Sequence, residues 1–171
     1  IDPLRRYEAR SDFEYLDSHL PARHYFQIFA QIMVALGIDW KKIAPHYTMS
    51  ERQIYGDLQS KFSGHIPQAT WARVPKREHD ALSIIGGTAT FADPLGETRQ
   101  MISNAEPICH GKVLILGDSH SSILSSNNLT YLMSSAFELC EFHWNPFAIR
   151  EEPAPTDADM VVMEISQRFI L

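Results

Sequence analysis

The sequence predicts an α/β protein in which helices flank a parallel sheet. The first observation is the run of four aliphatic residues at 113–116, because an uninterrupted apolar run of this kind is typical of a buried parallel strand. The second is a long segment with helical spacing of apolar residues at 22–36, and the third is another apolar run at 160–165. Strand and helix patterns within one short chain predict the α/β class.

The amino-terminal part of the chain contains the clearest helix signal. Phe13–Leu16 is predicted to form a short strand. Ala22–Leu36 is predicted to form a helix, since its apolar residues recur at spacings of three and four and Pro21 suits the first turn. Gly37 is a suitable residue to end this helix.

The next segments are less regular. Trp40–Tyr47 is predicted to form a short helical or turn segment. Ser50–Lys61 is predicted to form another helix, with Ser50 as its N-cap and Gln53 at the capping-box position. Phe62–Asp80 has weak periodicity and is predicted to be an exposed excursion.

The carboxyl-terminal part is predicted to alternate between strands and one helix. Thr88–Ala92 and Thr98–Ile102 flank a Pro- and Gly-containing turn, which predicts a β-hairpin excursion. Leu129–Phe137 is predicted to be helical, and Glu151–Asp159, rich in proline and acidic residues, is predicted to be a loop. Met160–Ile165 is predicted to be a second buried strand.

Length and charge limit the classes of protein to consider. The 171 residues suffice for one domain with a core, and we expect a single domain over residues 1–171. A net charge of −6 argues against a general nucleic-acid binder, and the basic cluster is interpreted as a solvated loop formed by Arg73, Lys76 and Arg77. No apolar run reaches the roughly 18 residues of a membrane span. Because the chain begins with Ile1, we expect an upstream segment to be missing.

The sequence predicts no metal site and no cofactor. Cys109 and Cys140 could form a disulfide or remain buried thiols, and their spacing does not match a zinc site. His19 and His24 lack a convincingly spaced third ligand. Gly86-Gly87 lacks the lysine and the following helix of a phosphate-binding loop.

The residue that directly follows the first apolar strand is a candidate nucleophile. Gly117 allows a sharp turn, which would leave Ser119 exposed at the carboxyl end of a strand, where α/β sheets bind ligands. A serine hydroxyl needs a base that is itself held by a third group. Asp17 and His19 could supply that pair, because residues two apart in an extended segment project to the same side.

The motif around this serine is not the nucleophile elbow of α/β hydrolases, which ends in glycine where this chain has Ser121. Gly117-Asp118-Ser119 instead resembles the first motif of the SGNH hydrolase superfamily. Ordinary members carry the serine early and the Asp/His pair late. The reverse order here resembles the circularly permuted branch typified by the alginate and exopolysaccharide O-acetyltransferases.

Four segments between Phe13 and Leu171 carry this resemblance, in the order found in that branch; they are Asp17-Ser18-His19, Gly56-Asp57-Leu58, Val113–Ser119 and Glu164–Arg168. Three positions depart from its pattern. Leu20 replaces a tryptophan, His120 stands where an aromatic residue is common, and Gln167 replaces a glutamate. None of these departures removes a member of the triad.

The resemblance implies a flavodoxin-like, SGNH-type sheet and acyl transfer through an acyl-serine. It implies that Ser119 is the nucleophile, His19 the base and Asp17 the residue that orients the imidazole. The oxyanion would be held by the backbone N–H of Ser119, with His120 and Asn127 as weaker candidates for a second donor. Arg168 is expected to pair with Glu164 near the site, with direct substrate binding as the alternative.

The resemblance also implies the partners and the compartment. We expect a polysaccharide or acylated sugar as substrate, a membrane protein as acyl donor, and a location in the periplasm or cell envelope. The sequence does not separate O-acetyltransferase from acetylesterase, since both use the same acyl-enzyme. The alternatives are a catalytically inactive SGNH-like carbohydrate-binding or assembly module, and a flavodoxin-like nucleotide binder, which the Gly-Asp-Ser turn does not fit.

Overall fold

Two sheets organise the part of the chain that the computed structural model describes, which is residues 20–54, 70–78, 81–88, 99–118, 120–121, 128–145 and 156–165. The chain divides into two compact units, Ile1–Glu78 and His79–Leu171. Each unit contains one of the two sheets. The predicted strand at 13–16 lies outside the described residues.

The helices of the first unit follow the sequence prediction. Helix α1 spans Ala22–Ala35 and buries one side of its surface, as its apolar spacing predicts. Helix α2 spans Trp40–Ile43, and the Asp39 side chain caps it by accepting a hydrogen bond of 3.0 Å from the N–H of Lys41. A 3₁₀ turn at Ala44–His46 follows directly. The prediction of a short helical or turn segment here is therefore confirmed.

Four aromatic rings form the packing centre of this unit. Phe26 and Phe29 of α1 each lie beside Trp40, with ring centroids 5.3 and 5.7 Å apart. Tyr47, just after the 3₁₀ turn, contacts the same two phenylalanines at 5.4 and 5.7 Å. The edge-on and tilted geometries are those that aromatic pairs prefer. The cluster thus holds α1, α2 and the start of the following strand together.

The helix predicted at Ser50–Lys61 is wrong over the residues that the structure describes. Tyr47–Ile54 forms strand β1, which pairs antiparallel with strand β2 at Thr70–Arg77. The Ser50 hydroxyl does not cap a helix and instead reaches the carbonyl oxygen of Val74 across the sheet. Pairing with a partner about twenty residues away along the chain has overridden the local helix signal.

The exposed excursion predicted at Phe62–Asp80 is also wrong over the residues of β2, because strand pairing and packing bury part of this strand. Side chains of β2 alternate between exposed and buried, and Ala72 and Val74 pack with Ala22 of α1. Pro75 is tolerated because a two-stranded sheet has only edge strands. The predicted basic loop is likewise a strand, in which two cations are exposed and one is buried, in the order Arg73, Lys76 and Arg77.

The second unit contains a five-stranded mixed sheet. Its strands are β3 at Leu82–Thr88, β4 at Arg99–Asn104, β5 at Cys109–Gly117, β6 at Phe137–Trp144 and β7 at Met160–Glu164. Their spatial order is β3-β4-β6-β5-β7. Strand β5 runs parallel to both neighbours, whereas β4 is antiparallel to both of its neighbours. The α/β class is confirmed, but only three strands form the expected parallel sheet.

The predictions for individual strands of this sheet agree with the structure to different degrees. The apolar run at 113–116 is the buried centre of β5, as predicted. The second predicted hairpin strand overlaps β4, which pairs antiparallel with β3, whereas residues 89–98, which include most of the first predicted strand and its turn, lie outside the described residues. The last strand is present but not buried, because β7 is an edge strand that leaves Val161 and Met163 45% and 42% exposed. No pattern in the sequence led us to expect β6.

Helix α3 at Leu129–Ala136 covers one face of this sheet. All eight of its residues are buried, and it packs against β4, β5 and β6. Asn104 at the end of β4 caps it, since its amide nitrogen donates to the carbonyl oxygens of Ser134 and Ser135 at 3.1 and 2.9 Å. These bonds satisfy carbonyl groups that the last helical turn leaves without intrahelical partners.

The two cysteines are free thiols on adjacent strands. Burial raises the pKa of the Cys140 thiol to about 12, and burial also raises that of the half-buried Cys109. Both therefore remain protonated thiols at neutral pH. Within the described ranges, no helix combines the length and apolar character needed to cross a bilayer.

Candidate active site

The carboxyl ends of three parallel strands meet at one edge of the larger sheet. Gly117, the last residue of β5, lies between Trp144 at the end of β6 and Glu164 at the end of β7. The N–H of Asn145 donates to the Gly117 carbonyl oxygen at 2.9 Å, which holds β6 against this end of β5. In α/β sheets, this edge is where ligands bind.

A tight turn follows β5 at this edge, and Asp118 fixes its shape. Asp118 is fully buried, and its Oδ1 accepts a hydrogen bond of 2.9 Å from the backbone N–H of His120. Its carbonyl oxygen accepts a second one, of 3.1 Å, from the N–H of Ser121. A side-chain oxygen that binds an N–H two residues on is an Asx turn. The Asp118 carboxylate thus has a structural role in the turn.

Ser121 ties the far side of this turn to two other elements. Its hydroxyl, which is fully buried, donates a hydrogen bond to Oε2 of Glu164 on β7. Its carbonyl oxygen accepts from the N–H of Thr130 in α3 at 3.2 Å. The segment between Gly117 and Ser121 is therefore connected to a strand on one side and a helix on the other.

Glycine is required at the end of β5 because the turn folds back so closely. A Cβ at Gly117 would lie 2.6 Å from Oγ of Ser121 and 2.9 Å from the carbonyl oxygen of Glu164. Both distances are shorter than any real Cβ contact. The absence of a side chain at Gly117 thus allows Ser121 to reach Glu164.

Most of the predicted site residues lie outside the described part of the chain: Asp17, His19, Ser119, Asn127, Arg168 and the segment Gly56-Asp57-Leu58. Among the predicted oxyanion donors, His120 is described. Its backbone N–H already donates to Asp118, so any contribution from His120 to binding an oxyanion would come from its imidazole ring. The predicted triad therefore remains a prediction.

Sequence reasoning missed the contact between Ser121 and Glu164. The available signal was the carboxylate itself, because Glu164 ends an otherwise apolar strand and a half-buried carboxylate requires a hydrogen-bond partner. We expected Arg168 to be that partner; it lies outside the described residues, so its pairing with Glu164 stays a prediction. The structure brings Glu164 to a hydroxyl in the turn after β5, which is 43 residues away along the chain.

Two buried oxygens at the start of α3 lack hydrogen bonds within the described structure. They are Oδ1 of Asn128, the residue before the helix, and Oγ1 of Thr130. Buried polar atoms are nearly always paired in proteins, and an unpaired one reduces stability. Because Thr130 is the residue whose N–H binds Ser121, its hydroxyl lies in the element that supports the turn.

A charged network near the amino end of β5 joins this strand to β6 and to the segment that precedes β7. The Lys112 ammonium group contacts Asp157 and donates to Glu141 at 2.9 Å, and the other Glu141 oxygen lies 2.7 Å from Nε2 of His143. Hydrogen bonds to Asp157 and Glu141 raise the pKa of Lys112. Burial alone would raise the pKa of Glu141, but the hydrogen bonds to His143 and Lys112 lower it below its usual value.

This network does not form a metal site. Among the residues that the structure describes, no group of three or more His, Cys, Asp or Glu side chains is arranged to hold a metal ion. The arrangement at the other end of β5, a buried turn on the carboxyl edge of parallel strands, is better suited to position a small reactive group.

Comparisons with known proteins give one structural likeness. No family model matches the chain, and no curated protein matches it significantly. The solved structure of PatB1 from Bacillus cereus is similar to this chain, with a TM-score of 0.55 and 12% sequence identity. The match covers 95% of this chain and 66% of PatB1. At this identity the likeness shows a shared α/β fold, and this chain spans about two thirds of the PatB1 chain.

Proposed function

We propose that this protein is an SGNH-type acyl-transfer enzyme that moves an acetyl group to or from polysaccharide hydroxyls. The observation that carries the proposal is the position of the Gly-Asp-Ser motif. It begins at the last residue of β5, which has a parallel strand on each side, and hydrogen bonds from His120 and Ser121 fix the described part of the turn. A nucleophile at this edge would face the region where such sheets bind substrates.

The order of motifs along the chain supports the same interpretation. The segments that resemble the permuted SGNH branch occur in the expected order, and their spacing fits a sheet of the flavodoxin-like SGNH type. The parallel strands β6, β5 and β7, with α3 between β5 and β6, agree with such a sheet. The periplasmic location and the membrane acyl donor are part of this proposal.

The proposed reaction has two steps and requires no metal or cofactor. In the first, the Ser119 oxygen attacks the acyl carbonyl carbon as His19 removes the hydroxyl proton, and the donor oxygen then leaves with that proton. In the second, His19 removes a proton from a sugar hydroxyl or from water, whose oxygen attacks the acyl-serine and restores the Ser119 hydroxyl. Asp17 orients His19 and stabilises its charged form, and the N–H of Ser119 donates to the oxyanion.

Hydrolysis of p-nitrophenyl acetate, followed by intact mass, tests the proposal. We expect turnover and an acetylated species in the wild type, and the loss of both in Ser119→Ala. His19→Ala should reduce the rate by about 100-fold or more, since it removes the general base. Ser83→Ala is the matched control, because Ser83 is exposed on β3 and contributes its backbone oxygen to the Ser103 hydroxyl, which alanine preserves.

Each outcome selects among the hypotheses. Acetylation of Ser119, followed by transfer to an unacetylated glycan, would identify a transferase, whereas release to water alone would identify an esterase. A folded wild type that neither turns over nor becomes acetylated would contradict the proposal and favour the carbohydrate-binding or assembly module.

A further inference from the structure

We propose that Glu164 and Ser121 form a positioning pair that fixes the turn carrying Ser119. This inference rests on the proposed function, because it gives the exact placement of the turn a role in the proposed reaction. Glu164 lies on β7 and contributes a carboxylate oxygen, and Ser121 contributes its hydroxyl proton. Neither group exchanges a proton with substrate in this proposal, and both act through the backbone between them.

The turn is restrained on every side for which the structure gives contacts. Gly117 brings it close to β5 and β7, the two hydrogen bonds to Asp118 close it internally, and Thr130 holds it to α3. The bond to Glu164 adds a side-chain link from the turn to β7. Ser119 lies in sequence between Asp118 and His120, the two residues that the first of the hydrogen bonds to Asp118 joins.

The chemistry of the pair indicates more than ordinary packing. A carboxylate at the end of an apolar edge strand costs free energy to desolvate, and an apolar residue would avoid that cost. A charge-assisted hydrogen bond is shorter, stronger and more directional than a neutral one. Glu164 therefore provides positional precision at some expense in stability, which is typical of residues that support an active site.

The experiment compares three substitutions at the pair with one control. Glu164→Gln keeps an oxygen that can accept from Ser121, whereas Glu164→Leu and Ser121→Ala remove the bond with little change in volume. Glu138→Leu is the matched control, because Glu138 on β6 is 59% exposed and its contact with His110 is a surface one. Thermal unfolding of each variant establishes that it is folded.

Hydrogen exchange is the readout that a loss of stability alone would not produce. In Glu164→Leu and Ser121→Ala, we expect the amides of His120 and Ser121 to exchange at least about tenfold faster, while the amides of β5 and α3 keep their protection. We expect kcat for p-nitrophenyl acetate to fall by about 10- to 100-fold with little change in KM, since a misplaced nucleophile slows the chemical step. Glu164→Gln should stay within about threefold of the wild type, because it preserves the bond.

The outcomes separate this inference from the proposed function. Unchanged exchange at His120 and Ser121 in Glu164→Leu would overturn the positioning pair, whatever the activity. Faster exchange with unchanged kcat in an active enzyme would also overturn it. A wild type that is never acetylated would instead contradict the proposed function, and with it the positioning role, even if exchange showed that Glu164 holds the turn.

Discussion

The two ends of β5 are held to neighbouring elements by different means. Near the amino end, Lys112 reaches Asp157, which precedes β7 and is 83% exposed, and Glu141 on β6. At the carboxyl end, a fully buried Ser121 hydroxyl binds Glu164 next to a glycine without room for a side chain. The first link uses full charges and one strongly exposed partner, whereas the second uses one charge and close packing.

This difference shows which end of β5 is held in the more exact position. The Lys112–Asp157 pair is worth little because water and salt screen the exposed carboxylate, whereas Lys112 and Glu141 are only 15% and 17% exposed. A buried hydrogen bond inside a close-packed turn tolerates almost no displacement, because neighbouring atoms fill the space. The contact with Asp157 can therefore vary with little effect on the sheet, whereas a single added methyl group at the carboxyl end should displace neighbouring atoms.

Adding one methyl group at Gly117 should have the largest effect. In Gly117→Ala, the new Cβ would overlap Oγ of Ser121 and the carbonyl oxygen of Glu164, so either the turn or β7 must move. We expect unfolding to become easier by about 1–3 kcal/mol, as for other overpacked sites. Urea denaturation measures the free energy of unfolding, and acetylation of Ser119 should fall with it.

Gly86→Ala is the control for this prediction. Among the described residues, a Cβ at Gly86 on β3 would come near Cβ of Met101, at an ordinary contact distance of 3.8 Å. Its effect should stay within about 0.5 kcal/mol. Equal effects of the two substitutions would show that the crowding at Gly117 does not constrain the fold.

Glu141→Gln tests the amino end and should have a smaller, pH-dependent effect. The pKa of Glu141 is lowered in the folded state, so its ionised form adds stability above the unfolded pKa, near 4.3, and that contribution disappears as pH falls through the folded pKa. At pH 7 we expect the variant to be less stable by about 0.5–1 kcal/mol, a value discounted for solvent screening. Denaturation curves between pH 7 and pH 2.5 measure the difference.

The two proteins should converge in stability at the acidic end of this range. High salt at pH 7 should reduce the difference only in part, because Lys112 and His143 are 15% and 21% exposed and salt screens such pairs less than exposed ones. A gap that stays constant from pH 7 to pH 2.5 would mean that the side chain contributes by packing and not by charge.

The same contrast separates what the sequence could predict from what it could not. Helix α1 and strand β5 were predictable because each has a clear pattern within its own residues. In α1 the pattern is the spacing of apolar residues, and in β5 it is an unbroken aliphatic run. Strands β1 and β2 were not, since Ala72 and Val74 become buried only when the two strands pair and pack on α1. Strand β6 follows α3 without any loop, so no turn residues mark its start.

The candidate site divides in the same way. The place of Ser119 after a parallel strand follows from the apolar run and the glycine that ends it. The pairing of Ser121 with Glu164 depends on the register of β5 against β7, which aligns Gly117 with Glu164 and is not encoded in any short motif. The sequence shows that Glu164 is unusual in an apolar strand, but it does not show which residue Glu164 contacts.

Thr130→Val should change stability the least. Whether it raises or lowers stability tests whether the Thr130 side chain supports the turn. The Thr130 hydroxyl is fully buried without a hydrogen bond in the described structure, while its N–H, which valine retains, holds Ser121. Replacing an unpartnered buried hydroxyl by a methyl group of the same shape is neutral or stabilising, here by up to about 1 kcal/mol. Asn104→Ala, which removes two bonds to the other end of α3, should destabilise by about 1–3 kcal/mol. If Thr130→Val instead destabilised the fold as strongly as Asn104→Ala, the hydroxyl would have a partner after all, and the start of α3 would support the turn through its side chain as well as its backbone.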